Sequence, residues 1–197
     1  MLPTRCARVA SVALAVLGVA CGDPTLAKAT FASGLATNTL YALTGAPATA
    51  PTALSFLSGP SHASATFAFD VAFDLDANNR TVVLPVRVLA GALAGVRKRV
   101  GLQILPGSFA SILEVPSTGY DTLGVKTLVP GAVLAVELQD GTACFSSFNQ
   151  SVRTSQLIYA KLVVDSVDAS TRRIFTRSVV DPNCGYREVV PDSVPKR

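Results

Sequence analysis

Histidine is nearly missing from this chain: His62 is the only one in 197 residues. A single imidazole excludes haem or zinc held by several. It also leaves a Ser–His–acid triad one base to draw on, placed after Gly59, Pro60 and Ser61 in an expected loop. No serine stands in the G-x-S-x-G turn that exposes a hydrolase nucleophile. No glycine-rich phosphate loop follows a candidate strand. Charged residues make up only 15% of the chain, 17 basic against 13 acidic. A net +4 of that kind gives little hold on nucleic acid. No stretch reaches the roughly 20 apolar residues that a membrane-spanning helix needs. No repeat of fixed period is present. The expectation is a chain without a catalytic constellation, without a cofactor and without a nucleic-acid partner.

What is present begins at the N-terminus. Arg5 and Arg8 precede Val9 to Ala20, 12 uncharged and mostly apolar residues that end in small side chains. A basic start, a short apolar middle and small residues at the end describe a secretory signal peptide. A buried core helix is the alternative, but core helices usually carry a polar face and this run has none.

Cys21 closes the run. Gly18-Val19-Ala20-Cys21 resembles the lipobox of bacterial lipoproteins, although the family favours Leu three residues before the cysteine and here Leu17 lies one further back. The resemblance covers about the first 22 residues. It implies a diacylglycerol on the Cys21 thiol, cleavage just before it, and a bacterial cell-envelope location on the periplasmic face or at the outer membrane. Each buried methylene contributes about 0.8 kcal/mol, so several acyl chains make a stable anchor. An ordinary secreted protein with an incidental Cys21 is the competing reading.

On the lipobox reading, loss of Arg5 and Arg8 leaves 15 basic and 13 acidic residues, a net +2. Cys6 leaves with the leader and Cys21 takes the lipid. Cys144 and Cys184 remain, in a compartment that is oxidising in many bacteria, and are expected to form a disulfide. Closing that loop would stabilise the fold by about 4 kcal/mol on the chain-entropy model. Metal binding is the rival; neither cysteine has a second Cys or His at ligand spacing.

The rest reads as strands and turns. Expected strands are Thr37–Leu43 and Thr52–Leu57, with Gly59–His62 as a loop. Phe67, Phe69, Val71, Phe73 and Leu75 alternate with Ala68, Asp70, Ala72, Asp74 and Asp76, a half-buried strand with a solvated acidic face. Ala77–Arg80 turns it, and Val82, Leu84, Val86 and Val88 alternate on the return, where Pro85 argues for an edge or a bulge. Val96–Leu105 is a further strand, and Pro106–Val115 forms one or two helical turns. Val133–Gln139, Thr142–Phe148, Leu157–Asp165 and Arg173–Val180 read as a four-strand meander. Its turns are Asp140-Gly141, Val167–Thr171 and Asp181–Gly185.

These elements predict a mainly β fold: a single antiparallel β-sandwich or open barrel with at most one short helix, preceded by the signal-peptide helix. The expected organisation is a signal peptide over 1–20, a lipidated tether over 21–30, a β domain over 31–190 and a frayed tail over 191–197.

Other polar groups have simple readings. Asp74, Asp76 and Asn78 resemble the start of a calcium loop, but its twelfth position is Pro85 rather than a bidentate glutamate. Glu114, Glu137 and Glu188 are scattered, with nothing to suggest a catalytic pair. Arg97-Lys98-Arg99 reads better as charge that guards a strand edge than as a site for lipid headgroups. The expected function is that of a membrane-anchored envelope lipoprotein whose non-catalytic β-rich domain does interaction or structural work, with an envelope protein as its partner, or, alternatively, binds a small apolar ligand. A hydrolase using carboxylates is the remaining class.

Overall fold

The computed structural model describes residues 26, 28–91, 98–139 and 157–196. Two five-stranded antiparallel sheets pack as an open sandwich, not a closed barrel. The first sheet has the order β1 (Gly34–Tyr41), β10 (Arg173–Asp181), β9 (Leu157–Asp168), β8 (Val133–Gln139) and β6 (Arg99–Leu105). The second has the order β3 (Gly59–Ser61), β2 (Ala53–Ser55), β4 (Val71–Leu75), β5 (Thr81–Pro85) and β7 (Lys126–Leu128). The one helix among the described residues is α1 (Val86–Ala90). No described helix is long and apolar enough to cross a membrane.

The main core lies between the sheets. Leu40, Leu102, Leu134, Val136, Ile158, Leu162 and Ile174 of the first meet Leu54, Val71, Phe73, Val83 and Leu128 of the second, with Phe69 just before β4. β9 is buried on both faces, because a second layer covers the outer side of its sheet. Its sequence accordingly reads as a near-continuous apolar run, Leu157 to Val164, broken only by Lys161.

The β4–β5 hairpin forms as expected, with Asn79 at φ 59° in its turn. Asp76 closes the turn by accepting the Asn78 and Arg80 amides. Three details differ. First, Phe67 lies in a turn before the strand, at φ 50°, so β4 starts four residues later than Phe67. Second, Val83 rather than Val82 or Leu84 faces the core. The register pairs Val83 with Phe73 across the hairpin, which puts the two side chains on one face. Third, β5 stops at Pro85 and the chain turns into α1 instead of continuing as a strand to Val88. Pro85 lacks an N–H, and β7 pairs only with Thr81–Val83, so no ladder bond is lost there.

Gly59–Ser61, expected as a loop, is a short edge strand on β2, with Pro60 at its centre. The 106–115 stretch makes a single turn at Ser108–Ile112 rather than a helix. Of the expected meander, β8, β9 and β10 are present, with β9 between the other two; the remaining strand was expected at Thr142–Phe148. That segment and the Asp140-Gly141 turn lie outside the described residues, as do residues 1–20 (expected as a signal peptide), Cys21 and Cys144.

Residues 30–33 and 192–196 are both tied to the sandwich. Asn183 Oδ1 accepts the Thr30 and Phe31 amides, and its Nδ2 donates to the Phe31 carbonyl. Ser33 donates its N–H to the Ser193 carbonyl and accepts the Asp192 N–H. The Lys196 N–H reaches Glu188 Oε2. Within the 191–196 stretch, Asp192, Ser193 and Lys196 thus carry hydrogen bonds to the rest of the fold.

Candidate functional site

Four strands border the two sheets, and they are not protected alike. β3 is three residues long and carries Pro60. β7 is also three residues long and opens with Lys126. β6 opens with the exposed Arg99, and Leu102 is already occupied by a two-way backbone bridge to Asp121. Short length, proline, charge and covering segments are the devices that keep sheet edges from recruiting other strands. Among the described residues, β1, Gly34-Leu35-Ala36-Thr37-Asn38-Thr39-Leu40-Tyr41, has none: eight residues, no charge and no proline.

The hydrogen-bond phase of β1 defines an open window. Ala42 donates to the Arg172 carbonyl in line with the β1–β10 register, so the even-numbered residues face β10. The odd-numbered residues turn their N–H and C=O groups outward. Ser33, before the strand, is satisfied by Asp192 and Ser193, and Tyr41, at its end, donates to the Pro51 carbonyl. Between these clamps Leu35, Thr37 and Thr39 have no backbone partner on the outer side among the described residues, and all three are exposed. Leu35 keeps 49% of its surface in solvent. Six outward backbone groups therefore stand in a row about three alternating residues long, matching what a short added strand can pair with.

The outer face of the first sheet holds a second polar arrangement. Val115, Ala135, Tyr159, Val179 and Val189 form a small apolar cluster under the 106–120 segment. Gly101 permits the close approach, since a Cβ there would lie 2.6 Å from Tyr120 Cβ. Lys161 is buried within this layer. Its Nζ donates to the Phe109 and Ile112 carbonyls at 2.8 and 2.7 Å and lies 4.6 Å from the Phe109 ring centre. Burial pulls its pKa below the usual lysine range. Burial also raises the pKa of the Tyr120 hydroxyl and of the Glu137 carboxyl. It pushes the Tyr159 hydroxyl up to about 12. Tyr159 donates to Glu137 at 3.3 Å.

Beside this layer, an open groove of about 540 Å³ is lined by Leu105, Ile112, Leu113, Glu114 and Arg187 among others. Here the structure brings together two acids that the sequence placed far apart. Glu114 and Glu188 are cross-strand partners in a bridge flanked by the Val115–Arg187 and Val189–Leu113 hydrogen bonds. They do not share a ligand-like centre: Glu114 pairs with Arg187, and Glu188 accepts Ser193 Oγ and the Lys196 N–H.

The other singled-out residues are absorbed by structure. His62 is exposed, as expected of a loop residue. Asp74 accepts Thr44 and Arg172, and Asp76 caps its own turn, so neither is left for a cation. Among the described residues no group of His, Cys, Asp and Glu is placed to hold a metal. Asp70, expected on a solvated face, is buried at 1% exposure. Its Oδ2 accepts the Phe56 amide and its Oδ1 meets Lys98 Nζ at 2.5 Å, because the 55–58 turn and the approach to β6 close over it. Of the basic run, Lys98 is thus an ion-pair partner, Arg99 guards an edge strand, and Arg97 lies outside the described residues. Phe69 and Phe73 are core residues, and Phe67 packs at the rim.

Cys184 packs against the main core just past β10, beside the start of β9, where Gly185 donates to the Leu157 carbonyl. The openness of β1 had a trace in the sequence, eight residues without charge or proline, but nothing there says that the strand lies at an edge. Lys161 had one too, a lysine inside an apolar run. Comparison of the chain with protein-family models, with curated proteins and with solved structures gives no match.

Proposed function

We propose that this chain is an envelope lipoprotein, anchored through Cys21, whose non-catalytic β-sandwich holds an extended segment of a partner protein on the open edge of β1. The observation that carries the reading is the window at Leu35, Thr37 and Thr39 between the Ser33 and Tyr41 clamps. A row of backbone donors and acceptors is best matched by another strand, and the clamps limit it to about five residues. The occupant is uncharged over the paired positions, since β1 offers no charge to meet one. The residues before Thr30 supply the tether to Cys21. The Cys144–Cys184 disulfide belongs to the same reading. Gln139 and Leu157, which bracket the Cys144 segment, are register partners at the end of the sheet where Cys184 lies.

The test combines anchor and edge. Cells fed labelled palmitate should label the wild type and not Cys21→Ser. Unreduced peptides should link Cys144 to Cys184. A photo-crosslinker at Thr39 in the envelope should give a discrete adduct that Thr37→Pro abolishes, whereas the same probe at Thr127 on β7 gives none. Thr37 points its N–H away from β10, so proline removes an outward donor without breaking the ladder. Equal palmitate labelling of Cys21→Ser sinks the anchor. An adduct that survives Thr37→Pro, or appears equally at Thr127, sinks the edge.

A further inference from the structure

Where residues 30–33 meet residues 183–196, a buried acid has no cation beside it among the described residues. Asp181, the last residue of β10, has no solvent exposure. Its Oδ1 accepts both the backbone N–H and the side-chain Nδ2 of Asn183, at 2.8 and 2.7 Å. Its Oδ2 is buried and has no hydrogen-bond partner among the described residues. The same Asn183 side chain holds the N-terminal segment through Thr30 and Phe31.

The charged and titratable neighbours make matters worse for a carboxylate. Glu188 contributes a second negative charge. Tyr159, the register partner on β9, gives its hydroxyl to Glu137 instead. The N-terminal segment presents only backbone groups to Asn183. Among the described residues no lysine or arginine pairs with Asp181 or Glu188 within salt-bridge distance.

We infer that this junction is a proton-operated latch on the N-terminal segment. With a proton on Asp181 Oδ2 the buried acid is neutral and the junction stays shut. Without it, an uncompensated carboxylate is trapped, and the junction opens more often to admit water, releasing residues 29–33. Burial, with the Glu188 charge added, outweighs the two Asn183 donors and sets the Asp181 carboxyl at about 6. The latch does not rest on the proposed occupant of β1 or on the anchor, although its release frees the Ser33 clamp that bounds the β1 window.

The sign follows from linkage. An acid whose folded value is raised holds its proton more tightly when shut than when open, so closure is favoured as pH falls through about 6 and weakened above it. For an open-state value near 3.9, the opening constant should rise about tenfold between pH 5 and pH 7.5.

Hydrogen exchange of the full chain, corrected for intrinsic rates, reads this directly. Protection of the Thr30, Phe31 and Ser33 amides should fall about tenfold from pH 5 to pH 7.5, while the Leu162 amide in β9 stays constant. Asp181→Asn should remove the pH dependence at the three junction amides. Glu188→Gln, which spares the buried Asp181–Asn183 contact, should move the midpoint to lower pH by removing a like charge. A junction whose protection is flat or rises with pH in the wild type overturns the latch. So does an unchanged midpoint in Glu188→Gln, or a pH profile that Asp181→Asn leaves intact.

Discussion

The two faces of the first sheet are built on different principles. The inner face meets the second sheet in a wide apolar core, with Phe69, Phe73, Leu102, Leu134 and Leu162 nearly free of solvent. The outer face is covered by irregular segments, and its apolar cluster is small. On that side lie Lys161, Glu137, Tyr159 and Asp181, each with a pKa displaced by burial. A core between regular sheets excludes polar groups, because their hydrogen-bonding capacity would go unmet. A layer made of turns brings its own carbonyls and amides, which can satisfy a buried lysine or be satisfied by it. The inner face sets the fold, and the outer face is where buried charge is tolerated.

The comparison breaks most visibly at the inner face. Phe69→Ala should lower unfolding free energy by about 3–5 kcal/mol, through lost burial plus the cavity left between two sheets that cannot both collapse onto it. Denaturant titration measures the loss. A variant of near wild-type stability would mean that the aromatic face lines a space rather than a packed core.

A smaller effect is expected at the outer face. Lys161→Met keeps the apolar stem but strands the Phe109 and Ile112 carbonyls, so a loss of about 1–3 kcal/mol should follow. Limited proteolysis should then cut the 106–116 segment before the strands. If the Lys161→Met variant matched the wild type, the covering layer would be held by apolar contacts alone, as replacements of buried charge sometimes are.

The smallest effect belongs to neither face. At the β9–β10 hairpin tip, hydrogen bonds from Ser170 and Thr171 hold the Asp168 carboxyl at about 2. A lowered carboxylate stabilises the fold above its unfolded value, and that contribution is lost as pH falls from about 4 towards 2. Asp168→Ala should therefore melt slightly below the wild type at pH 7, and the gap should close by pH 2. A gap that persists at pH 2 would assign the loss to the turn rather than to its charge.

Local pattern located most elements. Alternation around Phe69 and Phe73, the Asn78-Asn79 turn and the apolar run from Leu157 to Val164 each follow from side-chain period and turn chemistry, which act within a few residues. The same pattern misplaced what depends on neighbours. It put Asp70 in solvent, because alternation assigns a face but not what packs over it. It carried the return strand past Pro85, because it could not see that β7 pairs no further along β5 than Val83.

By itself the sequence determined a β chain with turns at fixed points, an apolar run closed by Cys21, and a single histidine. These are properties of composition and short-range order. Only the tertiary structure decided which strand is left at an edge with its backbone unpaired, that Lys161 finds carbonyls 49 and 52 residues away, and that Asp181 meets Glu188 and the N-terminal segment in one junction. Each depends on strand order and register, which bring distant residues within hydrogen-bond reach and exclude water there. No local spacing encodes that choice, because the free energy that makes it is shared across two whole sheets.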